Sequence, residues 1–157
     1  MAVLVRRATK DDAPTIAEFA MKLVEQHRDY DPIRFAQIAT LDGMQWFYGS
    51  QTEAKDAALL VAEINERIVG FAYIGYEERN YAELSVSTAK LHDIYVDEAA
   101  RHSGAGKALI DASVEAAREF GASKLMLSVA EKNEAAKAFF ERSGFSVTMH
   151  EMMLRVE

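Results

Sequence analysis

The 157-residue chain contains no cysteine, only two prolines and one tryptophan, and no long apolar run. Without cysteine there is neither a disulfide framework nor a thiolate metal site, and we expect no bound metal. No stretch approaches the roughly 20 apolar residues of a membrane-spanning helix, and residues 1–10 lack the apolar core of a signal peptide. We therefore expect a cytoplasmic protein with no membrane partner.

Basic residues are also in short supply. The chain has 18 Lys and Arg residues against 25 Asp and Glu residues, and its net charge is −7. This balance argues against nucleic acid as the main partner. Half of the residues are hydrophobic, which at this length is enough for a continuous core. We expect one domain over residues 1–157.

Strand and helix patterns alternate along the chain, which predicts an α/β fold. A helix should begin after Asp11 or Asp12, with Pro14 in its first turn. A tight hairpin at residues 65–67 would make the sheet mixed, and residues 77–87 are predicted to form a loop. The predicted strands are 4–7, 57–64, 68–76, 91–96, 124–129 and one or two over 145–156. The further predicted helices are 33–52 (less regular), 106–120 and 134–142.

The most informative stretch is a basic, glycine-containing loop between a strand and a helix, Arg101-His102-Ser103-Gly104-Ala105-Gly106-Lys107. Free backbone N–H groups at a helix N-terminus bind phosphate, and Gly104 and Gly106 permit a close approach. A P-loop would need Gly at Arg101 and Ser or Thr at Ala108. A dinucleotide fingerprint would need Gly at Leu109. Spacing excludes both motifs; a surface loop that binds nothing remains the alternative.

Two blocks of the sequence resemble the GNAT superfamily of acyl-CoA-dependent N-acyltransferases. The first has a strand ending in Val, an Arg-x-x-Gly-x-Gly loop and an early helical Leu, here Val96, Arg101, Gly104, Gly106 and Leu109. The second is the later set Asn133, Ala136, Phe139, Phe140, Gly144 and Phe145. The resemblance implies a single-domain GNAT-like α/β fold. Its mixed, mostly antiparallel sheet would have splayed central strands flanked by about four helices.

The resemblance also implies acetyl-CoA as co-substrate and its binding residues. The pyrophosphate would lie on the N–H groups of residues 102–107, with Arg101 and Lys107 adding positive charge. The pantetheine arm would pair with the backbone of Ile94, Tyr95 and Val96, in the gap between residues 91–96 and 124–129. From the other side it would meet the second block, at Asn133, Ala136, Phe139 and Phe140. Asn133 could equally cap a helix, and the two roles are compatible.

The resemblance further implies transfer of an acetyl group to a primary amine, which needs a base. An alkyl amine has a pKa near 10.4 and must lose a proton before it attacks. By strand alternation, residues 90, 92, 94 and 96 share one face, while 91, 93 and 95 share the other. The family places its base on the first face, where His92 stands, and an imidazole suits that role. Alternatively His92 only fills a strand position; Asp93 is the second candidate for the base and Glu83 the third.

Phe140 departs from the family pattern, which commonly has a Tyr that protonates the leaving thiolate. Phe has no proton to give. The donor would then be Tyr95, a tyrosine of the 73–81 region, or water. The departure also keeps open an acyl-CoA-binding sensor module without turnover.

The acceptor pocket is expected where family members build one of its walls, from Tyr30, Asp31, Arg34 and Phe35. An ordinary turn with solvated charges is the alternative there. The aromatic run Trp46, Phe47 and Tyr48 is expected to pack in the core or at an interface; packing under the same pocket wall is the alternative. Acidic residues near the cleft mouth favour a polyamine, aminoglycoside or lysine-like acceptor; they are Glu77, Glu78 and Glu83. A protein or peptide amine is the other acceptor class. Family members often dimerise, so the resemblance allows a homodimer.

Overall fold

A computed structural model describes residues 2–36 and 38–157, and within them lie five strands and four α-helices. In chain order they are β1 Leu4–Arg7, α1 Ala13–Tyr30, α2 Leu41–Gln51, β2 Ala57–Ile64, β3 Arg67–Asn80, β4 Ser85–Val96, α3 Ala105–Glu119, β5 Lys124–Met126 and α4 Glu134–Arg142. The strands form one sheet in the order β1-β2-β3-β4-β5. Neighbours from β1 to β4 are antiparallel, and β5 is parallel to β4. The predicted single-domain α/β fold with a mixed, mostly antiparallel sheet is confirmed.

The sheet separates two apolar cores. One core lies between the sheet and α3 and is completed by α4, with Leu109, Ile74 and Phe140 among its buried residues. The other lies between the sheet and helices α1 and α2, and it includes Ile16 and Phe71. Successive side chains along each central strand therefore point alternately into one core and into the other. Within the described part of the chain, every helix is too short or too polar to cross a bilayer.

The predicted hairpin at residues 65–67 is confirmed, and its turn comprises two residues. Asn65 and Glu66 lie between β2 and β3 with φ values of 51° and 64°. Both central residues are thus left-handed, as in the type I′ turns that match the twist of an antiparallel ribbon.

The loop predicted over residues 77–87 is too long, because only residues 81–84 form the turn. β3 continues to Asn80 and β4 begins at Ser85, with Arg79 opposite Val86. This part of the hairpin projects beyond the cores, so its strands carry polar side chains on faces that meet water. Its polarity gives a loop-like pattern, although Glu77, Arg79 and Asn80 are paired with Thr88, Val86 and Ser85. Two ion pairs along it join Lys90 to Glu77 and to Glu83.

Other predicted boundaries also need correction. Residues 145–156 form no strand within the described chain, and β5 ends at Met126 rather than at residue 129. Strand-forming side chains are present in both places, but no described strand pairs with them. The second helix begins at Leu41, after Thr40, whose side chain caps it by accepting from Gly43 N at 3.0 Å.

Candidate active site

A gap opens between β4 and β5. The two strands pair only over Thr88–Lys90 and Lys124–Met126, and no ladder joins residues 91–96 to the described chain that follows β5. The side chains of Ile94 and Val96 pack against the core beneath α3, as do Leu127 and Val129. Backbone N–H and C=O groups along this half of β4 consequently border a cleft instead of a neighbouring strand. This is the splay of central strands that the sequence predicts.

The glycine-containing loop lies at the end of that gap, where it begins α3. Gly104 is the N-cap residue with a φ of 91°, a conformation that glycine adopts without strain. The first N–H groups of an α-helix have no carbonyl partner within the helix, so the α3 N-terminus presents donors. Ser103 Oγ accepts from one of them, Ala105 N, at 3.3 Å. The side chains of Arg101 and Lys107 are exposed on either side, and Lys107 also pairs with Asp111.

The second sequence block packs directly on this loop. The Phe139 ring lies over Gly106, where an added Cβ would come within 3.2 Å of Phe139 Cζ. Gly106 therefore allows close packing between α3 and α4 as well as access to the backbone. Asn133 caps α4, because its Oδ1 accepts from Ala136 N at 3.1 Å. Phe140 is buried and contacts the rings of its neighbour in α4 and of Phe145.

A β-bulge in β4 changes the faces that simple alternation predicts. Tyr73 lies opposite Asp93, but Ile74 lies opposite Leu91, so His92 is an extra residue with no partner in β3. Leu91 shares the α3-side core with Ile94, three residues away. The prediction that residues 92 and 93 face opposite layers is therefore wrong. Both side chains contact the tyrosines on the α2 side of the sheet.

Asp93 is held by a buried tyrosine of α2. The Tyr48 hydroxyl donates to Asp93 Oδ2 at 2.7 Å, and Tyr48 is only 3% exposed. Burial raises the pKa of the Asp93 carboxyl, although the hydrogen bond from Tyr48 and the charge of His92 oppose that rise. Burial also raises the pKa of Tyr48, and the Asp93 charge adds to that effect. The sequence pattern predicts only a packing role for Tyr48. Because a buried Tyr hydroxyl needs a polar partner, the residue type itself was the signal for such a hydrogen bond.

His92 lines a cavity of about 280 Å³ beside β3 and the end of α2. Its ring lies 5.4 Å from the Tyr73 ring, at an interplanar angle of 30°. Gly75 leaves room for it, because an added Cβ would be 2.9 Å from His92 Nε2. Tyr73 donates to Gln51 Oε1 at 2.8 Å, and burial followed by the charges of two aspartates raises its pKa. The residues that line the cavity include the polar residues Gln51, Asp56, Tyr73, Tyr76, Glu77 and His92.

The residues predicted to bind the acceptor lie at the end of α1, outside the lining of this cavity. Asp31 Oδ1 accepts from Ile33 N and Arg34 N, each at 3.0 Å, and these bonds lower the pKa of Asp31. Arg34 forms an ion pair with Glu151. Phe35 packs edge-on against His27, with ring centroids 4.9 Å apart, and the Tyr30 hydroxyl accepts from Gln26. The segment thus forms an ordered turn with one charged link to residues 146–157.

Two further predicted site residues have other close partners. Tyr95, a candidate proton donor, is buried on the α1 side of the sheet, with its ring 5.2 Å from that of Phe19. Glu83 pairs with Lys90. Glu77 shares Lys90 and accepts from Asn80; the latter bond contributes most to lowering the pKa of Glu77.

A model of the acetyltransferase (GNAT) family matches residues 18–145. The chain belongs to this family. Its membership explains why the two sequence blocks lie against each other and against the gap beside β4. We therefore describe the protein as a GNAT acyltransferase.

Individual relatives agree with this assignment. The chain is 29% identical over 145 residues to the uncharacterized N-acetyltransferase YhfO of Bacillus subtilis, covering 90% of this chain and 88% of YhfO. It superimposes with a TM-score of 0.81 on the aminoglycoside acetyltransferase AAC(6')-Iy in complex with a CoA bisubstrate analogue. The identity is 16%, and the match covers 100% of this chain and 99% of the other. A ribosomal-protein-alanine N-acetyltransferase from Brucella melitensis biovar Abortus gives a TM-score of 0.71 at 20% identity. The match covers 99% of this chain and 100% of the other. These structural likenesses concern the fold.

Proposed function

We propose that this GNAT enzyme transfers an acetyl group from acetyl-CoA to a primary amine of a small cationic molecule, such as a polyamine, an aminoglycoside or an amino-acid-like amine. One observation carries the proposal. The cavity beside β3 and the end of α2 contains an imidazole, His92, together with two carboxylates, Asp56 and Glu77. Carboxylates attract a protonated amine, and an imidazole can take its proton.

The chain offers a fitting site for acetyl-CoA, which supplies the acyl group as a thioester. The gap leaves the backbone of residues 94–96 without a strand partner on that side, which is what an extended ligand arm needs. The α3 N-terminus offers N–H donors for the pyrophosphate, and Arg101 and Lys107 offer positive charge. In the proposal the pyrophosphate of acetyl-CoA contacts residues 101–107. Its pantetheine arm contacts Ile94, Tyr95, Val96, Asn133, Ala136, Phe139 and Phe140.

His92 is the proposed general base. It reaches the cavity because the bulge adds it to β4 without burying it, and it is exposed. The amine arrives as a cation that the carboxylates of Asp56 and Glu77 attract. Proton transfer from that cation to the ring then produces the neutral nucleophile. The Asp93 carboxylate beside His92 stabilises the imidazolium that results, so we assign Asp93 a positioning and electrostatic role.

Water is the proposed proton donor to the leaving thiolate. Phe140 has no hydroxyl group, and Tyr95 packs against Phe19 in the α1-side core. Tyr73 is nearer to His92, but its hydroxyl already donates to Gln51 Oε1 at 2.8 Å. Thiols of ordinary pKa, near 8.5, ionise without strong assistance. We therefore expect turnover that needs no protein acid.

An acceptor panel tests the proposed function. Release of the CoA thiol is measured with spermidine, an aminoglycoside, lysine and a peptide with an N-terminal alanine. We expect kcat/KM for at least one of the small cations to exceed that for the peptide by about tenfold, a difference of about 1.4 kcal/mol. A preference for the peptide would contradict the proposed substrate class. Micromolar binding of acetyl-CoA, with no release of the CoA thiol in the presence of any amine, would instead indicate a sensor module.

A pair of neighbouring glutamates supplies the control. Glu77 lines the cavity, whereas the adjacent Glu78 is exposed and does not. The substitution E77Q should raise KM for the preferred cation several-fold, and E78Q should leave it unchanged. Equal effects of the two substitutions would show that overall charge, and not the cavity, attracts the acceptor.

A further inference from the structure

Lys90 is a charged residue that the proposed mechanism leaves unused, although its ion-pair partner Glu77 lines the cavity. It belongs to β4 and lies opposite Gly75 in β3 and Met126 in β5, so strands on both sides fix its backbone. Its side chain is only 19% exposed. A lysine side chain that is mostly withdrawn from water needs partners for its charge. The partners of Lys90 therefore decide what this charge does.

Two carboxylates hold the Lys90 ammonium group, and one amide holds both carboxylates in place. Lys90 Nζ lies 3.4 Å from Glu77 Oε1 and forms a second ion pair with Glu83. Asn80 Nδ2 donates to Glu77 Oε2 at 2.9 Å, and Asn80 Oδ1 accepts from Glu83 N at 3.1 Å. These four residues are here called the Lys90 cluster. The cluster combines two negative charges with one positive charge.

The two carboxylates that line the cavity differ in what they already bind. Both oxygens of Glu77 are engaged, one by Lys90 and the other by Asn80. Asp56 takes part in none of the ion pairs among residues 2–36 and 38–157. An ammonium group that enters the cavity can therefore pair with Asp56 without displacing a cation. A second ammonium group has to compete with Lys90 for Glu77.

We propose that Lys90 competes with the second ammonium group of a dicationic acceptor for Glu77, and so limits the preference of the cavity for dications over monocations. Lys90 acts through Glu77 and does not contact the acceptor. Its ion pair with Glu83, which lies outside the cavity lining, keeps part of its charge directed away from Glu77. The inference rests on the proposed function, because it concerns the acceptor of the same cavity.

Calorimetric titration with two amines of equal length tests the inference, with 1,4-diaminobutane as the dication and butylamine as the monocation. Saturating CoA replaces acetyl-CoA, so that no turnover occurs during the titration. We expect K90Q to bind 1,4-diaminobutane about two- to fivefold more tightly, the range that a partly exposed ion pair allows. Its affinity for butylamine should stay as in the wild type. K90R keeps a cation between the carboxylates and should bind both amines as the wild type does.

Two further variants separate competition for Glu77 from a general effect of charge. Lys124 of β5 donates to Val86 O, and among the described residues it forms no ion pair, so K124Q removes a positive charge without freeing Glu77. It should bind 1,4-diaminobutane as the wild type does. The double variant K90Q/E83Q has the same net charge as the wild type. It should nevertheless bind the dication as tightly as K90Q, because Glu77 remains free in both.

The inference would be overturned if K90Q bound the dication no more tightly, if K124Q or K90R gained as much as K90Q, or if the double variant bound like the wild type. Failure of every variant to bind 1,4-diaminobutane would overturn it as well. Release of the CoA thiol from acetyl-CoA is measured separately. Tighter binding by K90Q without turnover of any amine would contradict the proposed function alone. Turnover with unchanged binding would contradict the role of Lys90 alone.

Discussion

At the scale of single residues, His92 is the group whose removal should affect the chemistry most directly. Replacing it with Gln keeps a polar side chain in the bulge and removes the base. We expect kcat to fall by about 10²- to 10⁴-fold. The decline of kcat/KM at acidic pH, which reports protonation of the base in the free enzyme, should disappear. The measurement is kcat/KM against pH for the best amine of the panel.

A second substitution separates removal of His92 from displacement of its ring. A Cβ at Gly75 would push against His92 Nε2, the far end of a side chain that can move. G75A should therefore lower kcat while the decline at acidic pH remains. An unchanged pH profile in H92Q would remove His92 from the proton transfer.

Asp93 provides a prediction about stability and activity together. Its pKa is raised by folding, so its contribution to stability is fully present below the unfolded pKa and is lost as the pH rises through the folded value. At neutral pH the charge therefore destabilises the fold. D93N keeps an acceptor for the Tyr48 hydroxyl and removes that charge. We expect its free energy of unfolding to stay the same or rise by about 1 kcal/mol, with a lower kcat.

Y48F is the comparison, because it removes the donor and leaves the half-buried carboxylate without it. It should cost about 1–3 kcal/mol in the free energy of unfolding. Urea unfolding at pH 7 and kcat for both variants make the comparison. If D93N were as unstable as Y48F and fully active, Asp93 would have only a structural role.

At the scale of elements, an ionic network joins β1, the turn before α1, and β2. Arg6 contacts Asp12 at 2.8 Å and Glu63 at 2.7 Å, and Asp12 Oδ2 also accepts from Thr9 N. The hydrogen bonds from Arg6 contribute most to lowering the pKa of Asp12, a residue that is only 7% exposed. The network fixes the start of α1. The chain then turns at the end of α1 and continues to α2.

The network should give the fold a dependence on acid. Because the folded pKa of Asp12 is lowered, its stabilisation is complete above the unfolded value near 3.9 and is lost as the pH falls through the folded value. D12N should lower the free energy of unfolding at pH 7 by about 1–3 kcal/mol. The difference between wild type and D12N should shrink as the pH falls below about 4. Chemical denaturation between pH 2 and pH 7 measures it, and a constant difference would contradict the network's role.

Elements differed in how well the sequence predicted them. β1, β2 and α4 have the predicted boundaries, because each carries an apolar pattern bounded by polar or turn residues. The β3–β4 hairpin is longer than predicted. Its outer part is mostly polar, and hydrophobic periodicity detects a strand only where one of its faces is buried. Residues 145–156 have a strand pattern without a strand, because pairing depends on a partner that propensity does not report.

At the scale of the whole molecule, the cofactor loop and the α4 block were within reach of the sequence, since both are local motifs with fixed spacing. The base and its surroundings were only partly within reach. His92 and Asp93 were named, but the bulge that brings their side chains to one side depends on the register with β3. The Tyr48–Asp93 bond joins residues 45 positions apart, and the cavity combines α2, β3 and β4. Contacts of that kind follow from tertiary packing.

The bulge has a consequence for how this fold tolerates change in length. His92 is supernumerary: without it, Leu91 and Asp93 would still oppose Ile74 and Tyr73, and the side chains on both flanks would keep their present cores. A normal one-residue insertion in a strand exchanges inside for outside along everything that follows. Here the insertion is absorbed at one point, and the inserted residue is the proposed base. A lineage could therefore gain or lose this histidine by a single codon without repacking either side of the sheet.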